Sequence, residues 1–357
     1  MRLSLRDGAV VLAILYVIVS SIAFACGIHK DISTEPDKDR TYYQEFYTHI
    51  WHAGLLQHPS SPPNGTNIIY GGPDGAAGFN AAIHFEPIKY VAAAVFDAFG
   101  TIHAVEIFYI LLFFMPLLYG AYLLRSGTGG VVLFVCMAAY AISPAALPTA
   151  VDDLRPYIAL LPALLMFFIS VRYARPAREQ LLFLNLLLAV REEGLFLALP
   201  VLAYTLARDY LARGSTSRTN MLLCANWLAW LGIESAYYTW LSAYYSVRGG
   251  WLALYRLAAH RWYIAAALCA MLAGLAYGFR RVVLRVKYLP ELLLAGPFVA
   301  ALLASPFLGL SQPPGSPGFL IQDLSGRFGI ALTVTALMIA LACSPNGSAE
   351  NRRGYLA

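Results

Sequence analysis

The sharpest chemical feature of the sequence is Arg191-Glu192-Glu193, which interrupts the largely apolar stretch from Leu181 to Ala207. Charged side chains inside a long apolar run are costly and mark either a functional site or a structural ion pair. Consecutive helical residues point about 100° apart, so the three cannot share one direction. The two carboxylates could reach into an outward-facing cavity, or an internal Arg–Glu pair could fix a hairpin.

A second group is Asp152-Asp153-Leu154-Arg155-Pro156, between two apolar blocks. Acids beside an arginine at a membrane boundary could bind a metal, take a proton or hold a phosphate. The same residues also write an ordinary turn, with Asp153 capping and Pro156 opening the next helix. Arg327, in Gln322-Asp323-Leu324-Ser325-Gly326-Arg327, precedes the last apolar block. Two arginines at separate helix ends, Arg155 and Arg327, would suit a phosphate or pyrophosphate, while each alone reads as an interfacial residue. His84 closes a long polar stretch in His84-Phe85-Glu86-Pro87.

These residues need elements to hold them. The chain has 357 residues, 59% hydrophobic and only 13% charged, far from a soluble composition near one-quarter charged. The apolar residues form long blocks, as a bilayer core requires. We expect an all-α polytopic membrane protein of about 9–11 transmembrane or re-entrant helices, folded as one domain over 1–357. The net charge of +5 sits in short connections, so it reads as a topology signal, with no nucleic acid partner expected. The five cysteines show neither CxxC nor metal-type spacing, which argues against disulfides and structural zinc.

The first apolar run, Gly8 to Ile28, follows Arg2 and Arg6. Ala23-Phe24-Ala25 resembles a cleavage site, but the run is long enough to span and is expected to be a retained helix. One long outer loop, 29–86, follows it, with an amphipathic helix expected at about 41–53. There Tyr43, Phe46, Tyr47 and Ile50 share one face and Glu45, His49 and His52 the other. That polar face has plausible metal spacing, and a solvated surface gives the same pattern. Further apolar blocks run from Ile88, Ile102, Val131, Tyr157, Leu181, Met221, Trp262, Leu292 and Phe328. Alternating them collects Arg2, Arg6, Arg125, Arg172, Arg175, Arg178, Arg208, Arg213 and Arg218 on one side, which is the cytoplasmic one by the positive-inside rule. The N-terminus is then cytoplasmic, in a plasma or inner membrane. The threading requires Leu181 to Ala207 to be a hairpin that enters and leaves on that side, with Arg191-Glu192-Glu193 at its tip.

Several pieces occur in a recognisable order: an aromatic outer helix with Trp51, His84-Phe85-Glu86-Pro87, Ser143-Pro144-Ala145, Asp153-Leu154-Arg155-Pro156, and the basic-acidic-acidic tip. This resembles a prokaryotic family of predicted membrane proteins related to the membrane-embedded glycosyltransferases of the GT-C superfamily. The likeness carried by these motifs covers residues 1–207. It implies a GT-C-like fold and glycosyl transfer from a polyprenyl-phosphate-linked sugar at the outer face. It further implies an outer-loop carboxylate as base, Asp39 first and Asp153 second, with Arg155 and Arg327 on the lipid phosphate. His84, Glu192 and Glu193 would line the sugar site, and whether a divalent metal takes part stays open. The chain departs from the pattern where Tyr42 and Ile83 stand at expected acids, and where Arg155 and Tyr157 replace a histidine and an acid. These departures also fit a non-catalytic relative: a lipid-linked-sugar binder, a transporter-like protein or an assembly scaffold.

Overall fold

The computed structural model describes residues 5–33, 47, 70–71, 77–78, 85–151, 156–244, 290–291, 293–294 and 327–344. Apart from an antiparallel pair of two-residue strands, Tyr70–Gly71 with Ala77–Gly78, its elements are helices. We number them α1 (Leu5–Ser33), α2 (Ile88–Phe99), α3 (Ile102–Arg125), α4 (Val131–Ile142), α5 (Ala146–Ala150), α6 (Leu160–Arg172), α7 (Ala177–Val190), α8 (Glu193–Arg213), α9 (Arg218–Tyr244) and α10 (Arg327–Cys343). A 3₁₀ turn, Pro156–Ala159, leads into α6.

Three described helices are long and apolar enough to cross a bilayer: Leu5–Ile28 within α1, α3 and α8. This is the composition of a helical membrane protein. α1 leaves Val10, Ile14, Val17 and Ile18 exposed, an apolar face that lipid solvates and water does not. α3 is the central helix, burying Tyr109, Phe113, Phe114, Leu117, Leu123 and Leu124. Gly120 brings it close to α1 and α4, since a Cβ there would lie 2.6 Å from Met137 Cγ and 3.3 Å from Leu12 Cδ1.

Local chemistry sets the breaks. Gly100, at φ +66°, ends α2, and the hydroxyl oxygen of Thr101 accepts from the His103 N–H to open α3. The block from Val131 does not continue to Ala150 as one helix. Ser143, extended at ψ 131° before Pro144, separates α4 from α5, because a residue preceding proline is driven out of the helical region. One turn before Pro116 in α3, the Tyr140 hydroxyl donates to the Phe113 carbonyl at 2.8 Å inside the core.

The helix ends that carry arginines gather at one end of the bundle. The Arg172 guanidinium donates to the carbonyls of Leu341 and Ser344, both at 2.8 Å, and Arg208 donates to the Arg172 carbonyl at 3.4 Å. Arg175 pairs with Glu179 and reaches Tyr122 and Thr128. Burial works against its charge, but the hydrogen bond and charge of Glu179 outweigh it and raise the guanidinium pKa above its ordinary value.

α7 and α8 form the hairpin expected over 181–207. Both feet stand at the arginine-rich end, through Arg175–Glu179 and Arg208–Arg172, and the chain turns at Arg191-Glu192. α7 has 14 residues. At 1.5 Å per residue that is about 21 Å, short of a hydrocarbon core of about 30 Å. Of the expected outer-loop helix at 41–53 only Tyr47 is described; it is helical and buried, stacked on Phe96, with its hydroxyl 3.3 Å from that of Tyr109.

Candidate functional site

The hairpin tip is built by backbone first. Val190 ends α7, and Arg191 is fully extended at φ −170°, ψ 159°. α8 then starts at once, with the Gly194 N–H donating to the Arg191 carbonyl at 2.8 Å. Gly194 makes so tight a turn possible: a Cβ there would sit 2.4 Å from the Leu187 carbonyl oxygen. Glu192 and Glu193 thereby stand at the positive end of the α8 dipole, which favours carboxylates.

The segment that opens α2 meets this tip. The Phe85 N–H donates to Glu192 Oε2 at 3.1 Å, a bond between residues 107 apart in sequence. Glu86 follows, pairing with Lys89 one turn later, and its Oε1 lies 3.7 Å from Arg191 Nε. Arg191 Nε is also 2.9 Å from Glu193 Oε2 and 3.9 Å from Glu192 Oε1. Three carboxylates, two cations and the N-termini of two helices therefore share one site. Its members differ in access: Glu86, Lys89 and Glu192 side chains are 2–3% exposed, Arg191 19% and Glu193 32%. Glu192 serves as a buried strut, while Arg191 and Glu193 are the more exposed members of the group.

Apolar and aromatic groups surround the charges. Ile88 and Val190 pack with Ala159, against Phe108, Leu112, Leu160 and Leu186. The Phe85 ring meets Trp230 edge-on at 6.1 Å and Tyr237 at 5.0 Å. Trp230 donates to Asn185 Oδ1 at 2.6 Å, Asn226 donates to the same oxygen at 3.0 Å, and Trp227 donates to the Leu195 carbonyl at 2.8 Å. Glu234 lies fully buried on α9, on the same helical stripe as Trp230 and Tyr237. Aromatic rings beside a few polar groups are what a sugar ring or a similar amphipathic ligand needs.

Of the residues expected from sequence, the structure brings Glu192 and Glu193 together and adds Glu86, Lys89 and Arg191. Arg327 is the first residue of α10. Further along that helix, Thr333 meets Ser143, just past the end of α4, at 3.0 Å. Asp39, His84, Asp153 and Arg155 lie outside the described residues. Sequence reasoning missed Lys89, the only cation of its apolar segment, and Glu234, the only acid of the block from Met221 to Tyr245. Both carried the signal that flagged Glu192, an ionisable residue within an apolar run. Among the described residues no three His, Cys, Asp or Glu side chains are grouped to hold a metal; the glutamates gather on Arg191 instead. No family model, curated protein or solved structure matches the chain.

Proposed function

We propose that the chain is a multi-pass membrane glycosyltransferase of GT-C type that takes a sugar from a polyprenyl-phosphate carrier at the face opposite its arginine-rich end. That face is the outer one by the positive-inside bias, in a plasma or inner membrane with the N-terminus cytoplasmic. The observation that carries the reading is the charged tip, where Glu193 and Arg191 remain partly open above a fully ion-paired base and beside Phe85, Trp230 and Tyr237.

In the proposed reaction an acceptor hydroxyl attacks the anomeric carbon and the bond from that carbon to the phosphate oxygen breaks. Asp39 takes the hydroxyl proton, with Asp153 as the second candidate, and the configuration inverts. Arg155 and Arg327 stabilise the charge gathering on the departing lipid phosphate, a preorganised electrostatic role. Glu193, Arg191 and His84 accept and donate hydrogen bonds to the sugar hydroxyls, and Glu192 holds the tip in place.

One observation favours a second reading, a non-catalytic binder of lipid-linked sugars. Arg191 faces three glutamates, so its charge is already answered within the protein. Purified protein supplied with labelled polyprenyl-phosphate sugars and a mixed acceptor set separates the two. Transfer that falls about 10²–10⁴-fold in Asp39→Asn or Asp153→Asn, the size of a lost general base, supports the enzyme. Donor binding without transfer supports the binder, and neither binding nor transfer sinks both.

A further inference from the structure

A groove of about 650 Å³ opens at the arginine-rich end, lined by Arg6, Ala9, Val10, Ala13, Ala121, Tyr122 and Arg125. It takes no part in the tip site, which lies at the far end of α7 and α8. Its lining is periodic: Arg6, Ala9, Val10 and Ala13 fall at i, i+3, i+4 and i+7 on α1, and Ala121, Tyr122 and Arg125 share a face of α3. The helices are antiparallel, so an arginine in the first turn of α1 and one in the last turn of α3 stand at the same mouth. Behind them the floor is small and apolar, and exposed Val10, Ile14 and Val17 continue it along α1.

We infer that this groove binds an anionic glycerophospholipid of the adjoining leaflet, with its phosphate between Arg6 and Arg125 and an acyl chain laid along Ala9, Ala13 and Ala121. The argument is charge complementarity joined to shape. Both arginines are exposed, and among the described residues no carboxylate is within ion-pair distance of either. Asp7, the acid next in sequence, does not line the groove and has an interaction of its own. The Tyr122 oxygen accepts from Arg175 Nη2 at 2.6 Å and so keeps its own proton to donate to a phosphate oxygen. The volume lies within the range of small-molecule sites, and basic pockets between helices are where anionic headgroups bind. Arginines that merely snorkel to the interface need no shared cavity with an apolar floor.

Native mass spectrometry of the purified full chain with dioleoyl phosphatidylglycerol and dioleoyl phosphatidylcholine tests this. Wild type should retain the glycerol lipid at least about tenfold more tightly, since each basic residue near an anionic lipid adds roughly a factor of five. Arg6→Gln/Arg125→Gln should lose that preference, and Arg213→Gln, at the same end but off the groove, should keep it. Ala13→Trp fills the floor without touching either charge; it should weaken both lipids and guards against a folding defect in the double variant. Equal retention of the two lipids by wild type, or an undiminished preference in Arg6→Gln/Arg125→Gln, overturns the inference. Displacement of the lipid by millimolar inorganic phosphate would show a free-anion site and overturn it too.

Discussion

Replacing Lys89 with Met isolates the energetics of the charged tip, because Met keeps the apolar stem and removes only the ammonium. The Lys89 and Glu86 side chains are 3% and 2% exposed, so the Glu86 carboxylate cannot recover the loss by turning to water. Breaking a buried pair in this way costs about 3–5 kcal/mol, against at most about 1 kcal/mol for a surface pair. Arg191 remains 3.7 Å from Glu86 Oε1. A unit pair near 4 Å is worth about 4 kcal/mol at an effective dielectric of 20, so the surviving contact places the cost at the lower bound, about 3 kcal/mol. Removing both charges, in Glu86→Gln/Lys89→Met, takes away the stranded carboxylate and should recover about 2 kcal/mol of that loss. Unfolding by SDS titration in dodecyl maltoside micelles, followed by circular dichroism, measures all three forms. A cost below about 1 kcal/mol for Lys89→Met, or a double variant less stable than the single one, would show that this pair is not a buried one in energetic terms.

Gly194→Ala should destabilise by about 1–3 kcal/mol in the same titration, because its methyl group would meet the Leu187 carbonyl oxygen at 2.4 Å and part the hairpin arms. Ala174, at φ +48° after α6, occupies the left-handed region that L side chains resist; Ala174→Gly should therefore stabilise by about 1 kcal/mol. Arg191→Gln leaves Glu86, Glu192 and Glu193 without their shared cation and should lower both stability and binding of a polyprenyl-phosphate sugar, read by titration of a fluorescent donor. Cysteine at Glu193 should react with an impermeant thiol reagent from the side opposite one at Arg213; labelling of both from the same side would contradict the hairpin.

The sequence made the hairpin legible because Arg191-Glu192-Glu193 stands between two apolar arms, and one arm is too short to span. Gly100-Thr101 likewise marks a stop and a start in adjacent residues. The break at Ser143-Pro144 was written in the proline but hidden by the apolar residues on both sides. What hydropathy could not give is which faces meet. That Glu192 would accept from the Phe85 N–H, or that Glu86 would turn to Arg191, depends on packing between segments about a hundred residues apart. Glu234 and Lys89 were visible as lone charges, yet only the fold pairs Lys89 with Glu86 at the tip and sets Glu234 one turn from Trp230, which meets Phe85.

The proposed site holds a lipid-linked sugar at the hairpin tip. An experimental structure of the protein in lipid nanodiscs with a non-hydrolysable polyprenyl-phosphonate sugar tests it most directly. The sugar should lie within hydrogen-bonding distance of Glu193 and Arg191, with the phosphonate toward Arg327 at the start of α10. A sugar held elsewhere in the bundle, or a headgroup bound only at the arginine-rich end, would contradict it.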